Sequence, residues 1–219
     1  MTEKNNEYKI ILIGNSAVGK TSIFKKISSG TFTDRNISTI GMDKRTLSFK
    51  DIEIEINDQK LKEEFNIILY DTAGQERYRA ITKNYFQGSD IVFILYDITS
   101  KKTFEDVESW LDSLSDTLSS WKTAKYLITL FGNKLDIVTS EEKPREVEED
   151  EAEKLCEDKS IKWGGEISVK ESSMEDLNEI LLKAWREYVQ KFGLKAEISS
   201  QNRMEGAKWV RKKKKKGFC

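Results

Sequence analysis

A glycine-rich segment near the N-terminus has the residue types that bind phosphate groups. It reads GNSAVGKT over residues 14–21, follows the apolar run YKIILI and fits the pattern G-x-x-x-x-G-K-[ST]. Small residues let backbone N–H groups point at phosphate oxygens, and the lysine can bridge the terminal phosphates. A chance glycine turn is disfavoured, because the segment joins a strand to a helix. The predicted nucleotide contacts are Asn15, Ser16, Ala17, Val18, Gly19, Lys20, Thr21 and Ser22, with the Thr21 hydroxyl also a magnesium ligand.

A second motif can distinguish one nucleotide base from another. Asn133-Lys134-Leu135-Asp136 has the spacing N-K-x-D and follows an apolar run that ends at Phe131. The Asp136 carboxylate can accept hydrogen bonds from both the N1–H and the exocyclic amine of guanine, whereas adenine offers no such pair of donors. A buried carboxylate left unpaired against adenine gives several kcal/mol of discrimination. The motif therefore predicts that Asn133, Lys134 and Asp136 select guanine.

A third group of residues has the chemistry for phosphate hydrolysis. DTAGQE at residues 71–76 follows another apolar run. Asp71 would hold magnesium through water, the Gly74 N–H can sense a terminal phosphate, and Gln75 would orient the attacking water as the predicted catalytic residue. The chain contains no histidine, which excludes a histidine general base. In-line attack by water, stabilised by a metal ion and backbone groups, remains as the mechanism.

Apolar runs alternate with amphipathic stretches along the chain, a pattern that favours a mostly parallel sheet covered by helices on both faces. Residues 45–57 partly alternate apolar with charged residues, as an exposed edge strand does, and the chain then returns in a long hairpin. The three motifs fall at strand ends, where α/β proteins bind ligands. The sequence predicts strands at Tyr8–Ile13, Phe65–Tyr70, Ile91–Tyr96 and Tyr126–Phe131, and helices at Lys20–Ser28, Thr103–Leu118, Val147–Lys159 and Met174–Phe192.

Composition limits the protein to a few classes. The 219 residues suit one α/β domain and a tail, with no apolar run long enough to span a bilayer and no signal peptide. Cys156 and Cys219 give no disulfide framework and suit a reducing compartment. Residues 203–219 carry eight Lys or Arg and one acid, a net charge of +7, whereas the 29 basic and 37 acidic residues of 1–202 give −8. Attraction to anionic surfaces therefore resides in the tail.

With these three motifs in this order, residues 8–192 resemble the Ras superfamily of small GTPases. The resemblance implies an α/β P-loop NTPase fold, the G domain, with a doubly wound, mostly parallel six-stranded sheet, one antiparallel edge strand and about five helices. It implies that Thr39 ligates magnesium only when GTP is bound and that Phe32 packs against guanine. EISVK at residues 166–170 resembles the family's E-T-S-A-K loop. That match implies base contacts by Ser168, Val169 and Lys170, with Val169 in place of alanine.

Within that superfamily the chain most resembles the Rab proteins. The shared features are STIG at 38–41, AGQERYR at 73–79, the Tyr85-Phe86 pair, YDIT at 96–99 and a basic tail that ends in cysteine. Three features differ from the usual Rab pattern. Lys44 replaces a phenylalanine, Tyr70 replaces a tryptophan, and the spacing from Gly41 to Asp71 is about nine residues longer. Two of the three aromatic positions read by effectors are therefore altered, and Tyr85 alone matches.

The resemblance also implies partners. Effectors, an exchange factor and a GTPase-activating protein would bind the switch loops at about 36–44 and 73–88. No arginine finger is evident in the sequence, so we expect slow hydrolysis that an external activating protein assists. We expect a monomer that binds GTP or GDP with magnesium, binds no nucleic acid, and acts as a switch in vesicle and membrane traffic.

The C-terminal tail is the predicted membrane anchor. The expected organisation is a short extension at 1–7, a G domain at 8–192 and a flexible basic tail at 193–219. Cys219 is the predicted prenylation site, although its sequence GFC is not a C-a-a-X box. One lipid chain anchors marginally, so the lysines at 212–216, at about 1 kcal/mol each near an anionic membrane, would be the second signal. The expected location is the cytosol and the cytoplasmic face of an intracellular membrane, reached through the prenylation machinery.

Other functions are compatible with parts of the sequence. A GTP-binding scaffold without appreciable hydrolysis is disfavoured by Gln75, and an ATP-using phosphotransferase is disfavoured by the N-K-x-D motif. A nuclear-localisation or nucleic-acid patch would use the lysine run and leave Cys219 unmodified. The acidic body counts against nucleic-acid binding.

Overall fold

The computed structural model describes residues 6–32, 39, 41–56, 58–73, 85–118 and 125–195. In these residues a six-stranded sheet has the order β2-β3-β1-β4-β5-β6, in which only the β2–β3 pair is antiparallel. The predicted fold class is therefore confirmed. The strands are β1 Glu7–Ile13, β2 Met42–Ile56, β3 Gln59–Thr72, β4 Ile91–Asp97, β5 Leu127–Asn133 and β6 Lys162–Ile167, and the helices are α1 Lys20–Ser29, α2 Lys101–Leu118, α3 Leu135–Thr139, α4 Glu149–Lys159 and α5 Met174–Phe192.

The central strands are buried on both faces, which explains why they read as apolar runs rather than as alternating patterns. In β1, Tyr8, Ile10 and Leu12 point into a core shared with α1 and α5, and Ile11 and Ile13 point into a second core shared with α2 and α4. Among the described residues, no helix has both the length and the apolar character needed to cross a membrane.

The long predicted hairpin is present and begins earlier than expected, at Met42. Its ladder runs from the pair Met42–Thr72 to the pair Ile56–Gln59, with one bulge between Phe49 and Ile52. Such a bulge bends a strand and increases its twist. Beyond the bulge, Ile54 is 5% exposed and packs into the core that also holds α5. The additional length of the hairpin is therefore part of the folded core.

Two elements were not predicted. Helix α3 has five residues, too few for a periodic pattern. Strand β6 contains Trp163-Gly164-Gly165, which lacks the apolar character expected of a buried strand. A Cβ added at Gly164 would lie 2.6 Å from Cδ1 and Cζ of Phe131, so the β5 ring occupies the space of a side chain. Glycine is required in β6 because of its neighbour.

Two helix starts differ from the prediction. Helix α4 begins at Glu149 because Glu148 and Glu151 form a capping box, which leaves Val147 as a buried loop residue. Helix α2 begins at Lys101 rather than Thr103. The Thr103 hydroxyl instead accepts a hydrogen bond from the Asp97 N–H at 2.9 Å, joining the first turn of α2 to the end of β4.

Candidate functional site

The phosphate-binding loop lies between β1 and α1, at the carboxyl edge of the sheet. Gly14 and Gly19 have φ values of +135° and +107°, which favour glycine. A Cβ at Gly14 would overlap the Leu95 carbonyl oxygen, and one at Gly19 would overlap the side-chain amide of Asn133. Ala17 also has a positive φ of 64°. The loop is thus held against β4 and β5 by close backbone packing.

Lys20 is enclosed by the loop that it follows. Its side chain is 4% exposed, and its ammonium donates to the backbone oxygens of Gly14 at 2.8 Å and Asn15 at 2.6 Å. Burial lowers the pKa of Lys20 to about 8, and the nearby Asp71 carboxylate opposes that change. The ammonium remains mostly protonated at neutral pH and is positioned to meet an anion.

Thr21, Thr39 and Asp71 bring three side-chain oxygens together beside Lys20. The Thr21 hydroxyl donates to Oδ2 of Asp71 at 2.6 Å and lies 2.6 Å from the Thr39 hydroxyl. Burial raises the pKa of the Asp71 carboxyl to about 6, against the hydrogen bond from Thr21 and the charge of Lys20. Asp71 Oδ1 is buried without a hydrogen-bond partner among the described residues. Hard oxygen donors and an unpaired buried carboxylate oxygen suit magnesium.

Asn133 joins the phosphate-binding loop to the loop that follows β6. Its side-chain amide donates to the Val18 carbonyl at 2.8 Å, and its Oδ1 accepts from the Val169 N–H at 3.2 Å. Asn133 is 3% exposed, so both contacts lie away from water. Its role in the structure is therefore to hold two loops together rather than only to face a ligand.

Asp136 and Lys134 are each held by a side-chain partner. Asp136 Oδ1 accepts from the Ser168 hydroxyl at 2.7 Å, and both residues are 8% exposed. The Lys134 ammonium pairs with Asp97 at 2.6 Å. Lys134 has a φ of 77°, which turns the chain out of β5 into α3. Asp136 also lines an open cleft.

The backbone of the loop at 168–170 is held by Lys26 of helix α1, which the sequence did not predict to be part of the site. The Lys26 ammonium donates to the carbonyl oxygens of Val169 and Lys170, each at 2.8 Å, and lies 5.8 Å from the centre of the Phe32 ring. The Val169 side chain is 2% exposed and packs into the core with α1 and α5. Its methyl groups are thus directed into the core.

These residues surround one open cleft. Nine predicted contacts line it, together with two residues, Ile137 and Glu142, that were not predicted. The lining residues are Ala17, Gly19, Ser22, Phe32, Asn133, Lys134, Asp136, Ile137, Glu142, Val169 and Lys170. A turn brings Glu142 to the cleft, since its N–H donates to the Ile137 carbonyl at 3.0 Å.

Several predicted residues stand apart from this lining. Val18 is a core residue, Ser16 is exposed, and the Asn15 side chain contacts α2. Gly74, Gln75 and Cys219 lie outside the described residues. The sequence did not predict the roles of Lys26, of Asp97 or of the bidentate Arg145–Glu166 ion pair behind the loop at 168–170. The YDIT segment contained Asp97, but nothing local connected it with Lys134.

Comparison with known proteins identifies relatives along most of the chain. The family model described as Ras family matches residues 9–190. Ras-related protein Rab-13 of Rattus norvegicus is 33% identical over 181 residues, which cover 80% of this chain and 81% of that protein. Ras-related protein Rab-1 of Theileria annulata is 31% identical over 209 residues, covering 95% and 87%. GTP-binding protein YPT1 of Saccharomyces cerevisiae (strain ATCC 204508 / S288c) is 39% identical over 137 residues, covering 61% and 60%.

Proposed function

Because this chain belongs to the Ras family and is a divergent small GTPase of the Rab type, we propose that it is a magnesium-dependent switch that recruits effectors in membrane traffic. Members of this family are GTP phosphohydrolases that bind GTP and GDP. One observation carries the proposal: the loop around Lys20, the oxygens of Thr21, Thr39 and Asp71, and the guanine motif all meet at one edge of the sheet.

Each group of residues has a separate role in the proposed reaction. Lys20 and the loop N–H groups bind the phosphates, and Asp136 with the loop at 168–170 binds guanine. Thr21, Thr39 and Asp71 would hold magnesium, which when bound supplies positive charge that stabilises the phosphate oxygens. Gln75, which lies outside the described residues, would orient the attacking water. Because no arginine finger is evident in the sequence, we expect turnover by the chain alone to be slow, on the order of 10⁻⁴–10⁻³ per second.

The oxygens of Thr21, Thr39 and Asp71 also explain how the protein could switch between two states. The Thr39 hydroxyl lies 2.6 Å from the Thr21 hydroxyl, so it reaches the proposed metal site. A bound γ-phosphate with its metal ion would order the loops around Thr39 and residues 74–86, and hydrolysis would release them. Effectors, an exchange factor and an activating protein bind there.

The surface proposed to bind effectors differs from the usual Rab pattern of three aromatic residues. Lys44 lies directly opposite Tyr70 in the β2–β3 ladder. The Lys9 ammonium lies 4.7 Å from the centre of the Tyr70 ring and donates to the Tyr85 carbonyl. The three positions therefore lie close together, and two basic residues, Lys44 and Lys9, lie beside the tyrosines. We infer that effectors of this chain present acidic side chains here, and charge reversal by Lys44→Glu should weaken their capture on the GTP-loaded chain.

The tail supplies the membrane anchor in this proposal. Prenylation of Cys219 adds one lipid chain, and the lysines at 212–216 add attraction to anionic lipids. Intact mass of the chain purified from eukaryotic cells tests the modification: an isoprenoid addition that Cys219→Ser abolishes is expected, and an unmodified thiol would refute it.

The function is tested in a single turnover. Purified full-length chain with magnesium and limiting labelled GTP should release phosphate slowly, and GDP but not ATP should compete. Gln75→Leu should keep GTP affinity and slow hydrolysis at least about tenfold, because water loses its orienting group. Gln87→Leu, at an exposed position nearby, is the matched control. Unchanged hydrolysis in Gln75→Leu would refute the assigned role, and binding without phosphate release would favour the scaffold.

A further inference from the structure

The side chain of Asn15 is held from both ends by helix α2. Its amide nitrogen donates to Oδ2 of Asp106 at 2.7 Å, and its oxygen accepts from the Trp110 indole N–H at 2.9 Å. Trp110 is 1% exposed and packs in the core with β4. Lys102 pairs with the other oxygen of Asp106 at 2.9 Å. Rotation of the Asn15 amide would break both of its hydrogen bonds.

The backbone of Asn15 contacts the phosphate-binding lysine. Its carbonyl accepts from the Lys20 ammonium at 2.6 Å, beside the 2.8 Å contact from Lys20 to the Gly14 carbonyl. Asn15 follows Gly14, whose φ of +135° gives the chain freedom to turn at this point. A fixed Asn15 side chain therefore fixes the direction of the carbonyl that receives Lys20.

We propose that Trp110 and Asp106 position the phosphate-binding loop by clamping Asn15, so that contacts to the β- and γ-phosphates depend on helix α2. The inference rests on the proposed function, because the loop is assigned to phosphate binding. Trp110 and Asp106 are positioning residues here, since they act through Asn15. The clamp joins residues separated by 91 and 95 positions in the chain.

The clamp predicts a specific pattern of donor and acceptor exchange. Asn15→Asp places two carboxylates against each other at the 2.7 Å contact. GDP affinity should fall at least about tenfold, the scale of one lost hydrogen bond to a charged group. In Asn15→Asp with Asp106→Asn, the new amide can donate to the new carboxylate, while the Trp110 bond and the net charge are kept. GDP affinity should then return to within about threefold of the unaltered chain.

The experiment measures GDP and GMP affinities of the full chain by competition against a fluorescent GDP, with magnesium present. GMP lacks the phosphates that Lys20 would bridge, so its affinity should change less than about threefold in each variant. Asp112→Asn, at an exposed position of the same helix, is the matched control for the charge change. Trp110→Phe keeps an aromatic ring but removes the N–H, and should release GDP several-fold faster.

Three results would overturn the clamp: no loss of GDP affinity in Asn15→Asp, no recovery in the exchanged pair, or equal losses for GMP and GDP. The last would mean a general structural role. If the unaltered chain bound no GDP, the proposed function and the clamp would both be refuted. Normal GDP binding by the unaltered chain and by Asn15→Asp refutes the clamp alone.

Discussion

Addition of a single methyl group at Gly164 in β6 should measurably lower the stability of the fold. A Cβ there would lie 2.6 Å from two carbons of the Phe131 ring, and still closer to the carbon between them in the ring. Phe131 is 5% exposed and its ring packs edge-on against Phe93 at 5.0 Å. The ring is thus restrained on its other side. Gly164→Ala forces Phe131 or the β6 backbone to move.

The free-energy cost of Gly164→Ala depends on how far the Phe131 ring can move. Overpacking a core by a methyl group typically costs about 1–3 kcal/mol. A shallow cleft lined by Thr129, Ile180 and Ala184 borders Gly164 and Phe131 and gives the ring partial room. We therefore expect a cost of about 2 kcal/mol, near the middle of that range. For a domain of this size, that lowers Tm by about 4–8 °C.

Thermal unfolding with saturating GDP and magnesium at fixed concentrations measures the effect, since bound ligand shifts Tm by mass action. Phe131→Leu is the partner variant, because a smaller side chain relieves the overlap. Gly164→Ala should then add little to the cost of Phe131→Leu, with a coupling of at least about 1.5 kcal/mol. Additive losses within about 0.5 kcal/mol would show that the ring is not the obstacle and would refute the reasoning.

Three further predictions concern stability, the guanine loop and thiol reactivity. Ile54→Ala should destabilise the fold by about 2–5 kcal/mol in denaturant titration, because it empties a buried site at the tip of the hairpin; a surface-like loss below about 0.5 kcal/mol would contradict this. Lys26→Met should release GDP about tenfold faster, because two buried loop carbonyls lose their donor, while Lys25→Met, at an exposed position, should not. Burial raises the pKa of Cys156 to about 11, so it remains a thiol below that pH. In folded Cys219→Ser chain, iodoacetamide at pH 8 should label it only after unfolding, and rapid native labelling would refute its burial.

The elements that the sequence predicted well are those with a local signal. The sequence predicts helix α5 at its observed bounds, because its apolar stripe is regular and fades beyond Gly193. The structure adds a capping box between Ser173 and Asp176 at its start. Strands β1, β4 and β5 are mostly apolar, because they are buried on both faces. Strand β6 could not be recognised from the sequence, because Gly164 is required by its contact with Phe131, which forms only in the folded chain, and Gly165 has a φ of +95°.

The same distinction applies to the candidate site. Six of the nine predicted residues that line the cleft belong to motifs that could be read from spacing, whereas Phe32, Val169 and Lys170 were implied by the family resemblance. Spacing could not predict the roles of Lys26, Asp97 and Trp110, because each contacts a loop that is far away in the sequence. Lys26, for example, binds the Val169 carbonyl across 143 positions. A lysine on an amphipathic helix is usually a solvated charge, and only its burial against two carbonyls shows otherwise. Motifs predict the groups that face the ligand, whereas their supports depend on tertiary packing.

The long hairpin shows how additional length can lie beside the site without displacing it. From Met42 to Phe49 the β2–β3 ladder is continuous, so Lys44 stays opposite Tyr70 and Asp71 stays at the edge that binds phosphate. The bulge after Phe49 separates this half from the distal half, and Phe65, opposite Phe49, stacks on Trp185 of α5 at 3.8 Å. The distal half has its own core contact through Ile54, and the change of register lies between Phe49 and Ile52, beyond the residues of the site. Differences at Lys44 and Tyr70 can therefore alter which partners bind, without moving the residues proposed to bind the nucleotide.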